Sequence, residues 1–455
     1  MFTSLDQAQD YLEEHIRQDV FTRFDADKHL TDPLARMRYL LHLLGNPHQK
    51  YPSIQVTGTS GKGSTAYLIS HILTTAGYKA GFSLSPHLQR LHERLQVSDK
   101  QASDIELLET LNQIVPAIKR MTREPIGKPS YFEILMAMAF VYFANKQVDI
   151  AVVEVGLEGS YDATNALDPL GIVLTNISLD HTAILGDTLE KIATEAVFAI
   201  KVQTVAPFVI TGQLTESVKA IVQAKCSRVG AQRIAYHKDF YSQIEEKNLK
   251  RTMFRFRDSQ QILSDMALSL RGDYQVDNAS LAIATVLSLK TRGFLVSLPQ
   301  IKKALATAFF PGRFEIVTYL GKTIILDGAH NDAKMQAFLK ALMEYYPTKK
   351  KIFVVGFKKD KQIESMIKDI FTAADTLILT QFQKTTDQSK NYAKTPLEIK
   401  SYLSRSESEH VQLESDSAKA LQQAIGQAST EDIIVITGSL YLVGEIRDLL
   451  SVPNQ

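Results

Sequence analysis

The residues Thr57-Gly58-Thr59-Ser60-Gly61-Lys62-Gly63-Ser64-Thr65 carry the pattern of a phosphate-binding loop. They stand between a short strand, 53–56, and a segment of helical periodicity, the setting such a loop requires. Glycines let the backbone approach phosphate oxygens, and amides at the helix start point at the anion. Lys62 can neutralise β- and γ-phosphates, and Ser64 or Thr65 can approach a bound Mg²⁺. The spacing departs from the common G-x4-G-K-[ST] form, because Gly63 follows the lysine. The competing reading, a glycine-rich turn with a surface lysine, does not account for the strand–turn–helix context.

Three more places can do chemistry. Glu154 ends the apolar run 149–155, at the edge where ligands gather in open α/β sheets. A carboxylate there needs a cation, either a buried Arg or Lys or an Mg²⁺ that takes its other oxygens from phosphate and water. Asp180-His181 follows the apolar run 171–177, and His181 can ligate a metal, act as a base or be structural. Asp327, in Leu326-Asp327-Gly328-Ala329-His330-Asn331, can hold a ribose or a cationic group, or cap a turn. The phosphate loop, Glu154 and His181 all fall at one edge of one expected sheet.

The elements that must position these groups are legible from periodicity. The first 45 residues read as helical, with 34–44 ending at Gly45-Asn46-Pro47. A strand at 53–56 leads through the loop to a helix from 64 to about 76, closed by Gly77. Residues 131–145 are apolar almost all round and predict a buried helix. Apolar strands at 149–155 and 171–177, alternating with helices, predict an α/β fold with a parallel sheet covered on both faces. Residues 240–275 are more polar and read as a small antiparallel excursion before a helix at 276–292. The pattern changes at Phe310-Pro311-Gly312 and restarts with strands at 323–326, 351–355, 376–379 and 433–437. Two domains are therefore expected, 1–309 and 310–455.

Composition narrows the function. The 455 residues carry 51 Lys+Arg against 50 Asp+Glu, net +1, without the basic excess of a nucleic-acid binder. The one cysteine, Cys226, allows neither an intramolecular disulfide nor a multi-cysteine metal site, and its count fits a reducing compartment. The longest apolar stretch, 134–144, is shorter than the roughly 20 residues that cross a bilayer. The N-terminus lacks the pattern of a secretory signal. A cytoplasmic protein without membrane or nucleic-acid partners is expected.

Eight segments in order resemble the folylpolyglutamate synthase and dihydrofolate synthase family, a branch of the Mur ligases. They are TGTSGKGST (57–65), SPHLQRLHERL (85–95), YFE (131–133), EVGLEGSYDATN (154–165), LDHTAILGDT (179–188), PGRFE (311–315), LDGAHN (326–331) and ITGSLYL (436–442). The resemblance implies a Mur-ligase-like N-terminal ATPase domain and a C-terminal Rossmann-like domain that closes over it. It also implies an amide ligase that joins L-glutamate to a dihydropteroate or tetrahydrofolate carboxylate through an acyl phosphate, with ATP as co-substrate and Mg²⁺ as cofactor. Family members are usually monomeric. By position, Gly61, Lys62, Gly63 and Ser64 match the triphosphate contacts, and Ser85, Glu154 and His181 the Mg²⁺ ligands. Lys62, Glu154 and His181 thereby become the expected catalytic residues. Asn278 matches a base contact, and Arg313 and Asp327 match nucleotide contacts from the second domain. Pro129, Ser130, Tyr131 and Phe132, with Tyr161, Asp162, Ala163 and His330, fall where pteroate-binding segments lie in some members.

The departures set up a second reading. Ser60 replaces the usual Asn, and Gly156-Leu157-Glu158-Gly159-Ser160 replaces GLGGR. Glu158 adds negative charge beside an anionic substrate, and Ser160 removes a possible anion clamp. The lysine that is typically carbamylated, fifteen residues after the histidine, is Ala196 here. Glu195 and Lys201 are the neighbours placed to compensate. These changes raise the alternative of a weakened paralogue that binds folate or nucleotide without efficient ligation. A cell-wall ligase acting on a nucleotide-sugar peptide is disfavoured by the SPHL and DATN segments.

Overall fold

The computed structural model describes residues 1–16, 32–383 and 393–450. Part of the expected N-terminal helical stretch, 17–31, lies outside the described residues. Among the described residues the strands form three sheets of eight, three and six strands.

The large sheet runs in the spatial order Lys100–Gln101, Gln96–Val97, Ala80–Ser83, Ile150–Glu154, Ser53–Thr57, Gly171–Leu174, Phe208–Thr211 and Gln232–Ala235. Its six inner and far-edge strands pair in parallel, and the two short strands at the other edge pair antiparallel. Strand side chains alternate between faces. Ile54, Val56, Ile150 and Val152 enter one core with the helices Lys62–Thr75, Asp273–Ser288 and Leu298–Thr307. Ala151 and Val153 enter another with Pro33–Leu43, Asp104–Met121 and Tyr131–Lys146. Covering both faces explains why residues 150–153 are continuously apolar.

The helix Tyr131–Lys146 is buried along most of its length, as its composition predicts. Its one buried acid, Glu133, closes a capping box with Ser130 and grips Arg36 through bonds of 2.6 and 2.7 Å. Pairing and full hydrogen bonding make that burial tolerable.

Four boundaries differ from the sequence reading. The helix after the phosphate loop begins at Lys62 rather than 64, because Gly61 takes the left-handed conformation that caps it (φ 82°). The strand expected at 171–177 ends at Leu174, since Thr175 and Asn176 leave the sheet to hold the phosphate loop. The antiparallel excursion expected over 240–275 is present but ends at Leu268: Phe240–Lys247, Thr252–Asp258 and Ile262–Leu268 form the three-stranded antiparallel sheet. The helix expected at 276–292 starts at Asp273 and tightens into a 3₁₀ turn at Leu289–Arg292.

The third sheet has the order Glu315–Tyr319, Lys322–Leu326, Ile433–Thr437, Lys351–Val355, Thr376–Gln381 and Val411–Asp416. Its first pair is antiparallel and the rest are parallel. Ile325, Phe353 and Val435 face one helical layer, and Ile324, Ile352 and Ile434 face the other. The strand Val411–Asp416 escaped the sequence reading because it is a mostly exposed edge without an apolar run.

The two lobes pack closely. Leu88 of the large lobe joins a core of the small one. A Cβ at Gly444 would sit 2.1 Å from the Leu88 carbonyl oxygen, so only glycine permits this approach. Nearby, fully buried Arg447 donates from Nε to both oxygens of Glu315 at 3.1 Å and from Nη1 to Gln89. Replacing Arg447 by Met strands the Glu315 carboxylate in the core. Chemical denaturation is expected to show a loss of about 3–5 kcal/mol. A loss below about 1 kcal/mol would refute the anchoring role.

Candidate functional site

A cavity of about 420 Å³ lies between the lobes, above the phosphate loop. Two glycines shape the loop. A Cβ at Gly58 would lie 2.3 Å from Thr175 Oγ1, and one at Gly61 would lie 2.3 Å from Asn278 Oδ1. The loop is tied to the strand end beside it: Thr59 N donates to the Asn176 carbonyl and Ser60 N to Asn176 Oδ1, both at 2.9 Å. Thr175 Oγ1 donates to the Ser60 carbonyl at 2.6 Å. The first-turn amides of the following helix have no helical acceptor, and no side chain caps them. Gly61, Lys62, Gly63 and Ser64 all line the cavity. Asn278 also lines it, pressed against Gly61 and held by Gln275 at 3.0 Å.

Ser85, Glu154 and His181 meet in the same cavity. Glu154 accepts from Ser85 N at 2.9 Å. Burial pushes its carboxyl up, opposed by the charge of Lys62. Gly63 keeps the approach to Glu154 open, since a Cβ there would lie 3.4 Å from both carboxylate oxygens. Burial and then Lys361 lower the His181 imidazole to about 3, so it is neutral near pH 7 and keeps a lone pair for a metal. Among the described residues no group of three or more His, Cys, Asp or Glu side chains could hold a metal ion. One carboxylate, one hydroxyl and one imidazole suit a cation that draws further oxygens from phosphate and water.

Glu158 faces the site. Its backbone is left-handed (φ 72°), and its Oε1 lies 3.5 Å from Lys62 Nζ. Its Oε2 is buried with no hydrogen-bond partner. Burial raises its carboxyl despite Lys62. Lys62 Nζ also donates to the Gly58 carbonyl at 2.6 Å, so the lysine is held back by its own loop and by Glu158. Ala196 is packed in the core beside Ile172 and Leu174, and Glu195 accepts from Ser160 N at 3.0 Å. Lys201 donates to the carbonyls of Asn165 and Leu167.

The small lobe adds Arg313, Asp327 and His330 to the cavity wall. Asp327 accepts from Phe314 N at 2.8 Å and Ala329 N at 2.9 Å. Burial raises its carboxyl from the ordinary 3.8 to about 6, against the pull of Arg313. Two residues that sequence reasoning did not single out, Lys361 and Lys334, complete this side. Asp180 of the large lobe accepts from Lys361 and, at 2.9 Å, from Asn331 Nδ2. Lys334, in the first turn of the helix that follows His330, lines the cavity. Lysines read as solvated surface in the sequence, and only the fold turns these two inward.

A second cavity, of about 340 Å³, adjoins the first and shares Ser85, Glu158, His181 and His330 with it. Phe132, Tyr161 and Tyr441 give it aromatic walls, and Lys358 and Lys361 give it cations. Ser130, Asp162 and Ala163 line it too. Both Asp162 oxygens are taken within its own loop, by Leu157 N and Thr164 N at 2.9 Å. Pro129 and Tyr131 line neither cavity: Pro129 is buried, and Tyr131 packs against the large-lobe core.

Residues 56–286 match the family described as Mur ligase middle domain, and residues 315–450 match the C-terminal domain of dihydrofolate synthetase. The chain is 31% identical over 421 residues to a folylpolyglutamate synthase of Lacticaseibacillus casei, covering 91% of this chain and 94% of that one. It is 31% identical over 419 residues to the dihydrofolate synthase/folylpolyglutamate synthase of Bacillus subtilis (strain 168), covering 92% and 94%. A solved FPGS–AMPPCP–folate complex superposes with a TM-score of 0.82 at 28% identity, over 98% of this chain and 100% of that one.

Two predictions follow from the site's charges. Glu158→Gly removes a left-handed non-glycine residue and a buried carboxylate that competes for Lys62. Calorimetry is expected to show AMPPCP binding several-fold tighter, with a raised melting temperature; unchanged affinity would show that Glu158 does not hold Lys62 back. Asp327 titrates between 3.8 unfolded and about 6 folded. The folded chain therefore binds this proton more tightly, and the carboxylate's burial costs stability as pH rises through that window. Its charge, which faces Arg313, is lost below about pH 6. The pH profile of kcat/KM for ATP should show an acid limb near 6 that Asp327→Asn removes.

Proposed function

The chain belongs to the folylpolyglutamate synthase and dihydrofolate synthase family of the Mur ligases, ATP-dependent enzymes that add glutamate to folate, and we propose how its two cavities divide that reaction. The observation that carries the division is the shared wall. A triphosphate seated over Gly61–Ser64 ends beside Ser85, Glu158, His181 and His330, and the same side chains bound the aromatic cavity. A folate-type ring against Phe132 and Tyr161 brings its carboxylate to that wall.

ATP transfers its γ-phosphoryl group to a carboxylate oxygen, and ADP is released from the new acyl phosphate. The free amine of L-glutamate then attacks the acyl carbon, loses one proton, and the tetrahedral adduct expels phosphate to leave the amide. This chemistry needs positioning and charge neutralisation more than a protein nucleophile. Lys62 leaves the Gly58 carbonyl and Glu158 for the phosphate oxygens. Ser85, Glu154 and His181 would hold Mg²⁺, which when bound offsets negative charge on the phosphates. Arg313 and Asp327 close on the nucleotide from the small lobe, and Asn278 fixes the loop beneath it. Lys358 and Lys361 give the outer part of the acceptor cavity the charge to receive the carboxylates of L-glutamate. The working unit in this reading is a monomer in the cytoplasm, since both cavities are built from one chain.

The weakened paralogue remains the second reading, favoured by Glu158 against Lys62. Phosphate release from Mg-ATP with L-glutamate separates the two, run with dihydropteroate and with tetrahydrofolate, the amide confirmed by mass. Turnover is expected with at least one acceptor, and the acceptor used assigns dihydrofolate synthase activity, polyglutamylation or both. Lys62→Ala is expected to lower kcat by at least about 100-fold without unfolding. Silence with both acceptors, from folded protein that binds ATP, would establish the paralogue instead.

A further inference from the structure

Lys334 stands apart from the other cations of the site. Lys361 is paired with Asp180, Lys62 with Glu158 and its own loop, and Arg313 with the Gly312 carbonyl and the Phe310 ring. Lys334 Nζ has one hydrogen-bond partner among the described residues, His330 Nε2 at 3.0 Å, and no carboxylate oxygen within 4 Å. The partner's protonation follows from geometry. His330 Nδ1 lies 2.6 Å from the Gly328 carbonyl, which can only accept, so Nδ1 carries the proton and Nε2 receives the Lys334 N–H. An ammonium has three donors. Two of them are left facing the nucleotide cavity that Lys334 lines.

An ammonium held this way awaits an anion. Burial and the nearby Lys62, Lys361 and Arg313 lower Lys334 to about 7, against the pull of Asp180, so a polyanion bound beside it would favour the charged form. The place of the anion follows from the walls. Lys334 lines the nucleotide cavity and not the acceptor cavity, whereas its partner His330 lines both. The ammonium therefore lies on the nucleotide side of the shared wall, where the last phosphate of a triphosphate meets the acceptor.

We propose that Lys334 is a catalytic residue of the small lobe that binds the terminal phosphoryl group of ATP opposite Lys62, so that the transferring group is held by one cation from each lobe. This rests on the seating of ATP proposed above. The charge on the three phosphoryl oxygens during transfer is then neutralised from both sides. Because Lys334 reaches the site only with the small lobe in place, transfer is coupled to the closed arrangement.

The test compares ADP with AMPPCP. Lys334→Met keeps the length of the side chain and removes a buried charge, so the variant is expected to fold; Lys334→Gln serves as a second variant. Calorimetry on the full chain with Mg²⁺ should show AMPPCP affinity reduced about 10- to 100-fold, the loss of a charged hydrogen bond, with ADP affinity within about twofold of the parent. The kcat for phosphate release should fall with it. Equal weakening of ADP and AMPPCP would overturn the proposal, placing Lys334 on the inner phosphates. Unchanged affinity for both with a raised KM for L-glutamate would also overturn it, placing Lys334 on a substrate carboxylate. The nucleotide comparison is independent of ligation: an inactive parent chain would refute the proposed reaction and still leave the ADP–AMPPCP difference to be read.

Discussion

The site depends on one carboxylate that crosses the interface between lobes. Asp180 belongs to the loop after the strand Gly171–Leu174, yet it binds Lys361 and Asn331 of the small lobe. Asp180 and Lys361 are each more than nine-tenths buried at the side chain. Burial alone would raise the carboxyl, but the surrounding His181, Lys361 and Lys334 hold it well below the usual range. His181 is neutral near pH 7, so the lysines carry that effect. Loss of this carboxylate would leave Lys361 buried without an anion and free the loop that carries His181. Both cavities have walls from both lobes, so their shapes require this contact and the bond from Arg447 of the small lobe to Gln89 of the large one.

The charges of the nucleotide cavity form a balanced but dissatisfied set. Glu154, Glu158 and Asp327 are raised by burial, and Lys334 is lowered by it. Each would gain from an oppositely charged ligand: a cation for the carboxylates and a polyanion for the lysine. A metal–nucleotide complex supplies both at once. Binding therefore releases electrostatic cost at the place where phosphoryl transfer needs it.

The parts of the fold that a periodic pattern can express were legible in the sequence. The strand Ile150–Glu154 and the buried helix Tyr131–Lys146 announce themselves because burial on all sides demands apolar residues along nearly their whole length. The phosphate loop was legible because Gly58 and Gly61 meet neighbours no side chain could tolerate. Apolarity could not reveal where Gly171–Leu174 ends, since Thr175 and Asn176 serve the phosphate loop instead of the ladder. Lys334 and Lys361 were invisible for a different reason. No motif marks either of them, and their role appears only when the small lobe lies against a loop more than a hundred residues away. Glu158 was visible as a departure from the family, but its direction was not; the structure turns it toward Lys62.

That direction bears on what replaces the missing lysine at 196. Ala196 lies in a closed core and Lys201 is tied to backbone carbonyls, whereas Glu195, with one oxygen bound to the Ser160 amide, lines the acceptor cavity. Glu158 brings a second carboxylate, with a buried oxygen without a partner, to the wall common to both cavities. While Lys62 is its neighbour, that charge opposes phosphate, so Glu158 restrains nucleotide binding. Its left-handed backbone and unpaired oxygen are costs that stability alone gives no reason to keep.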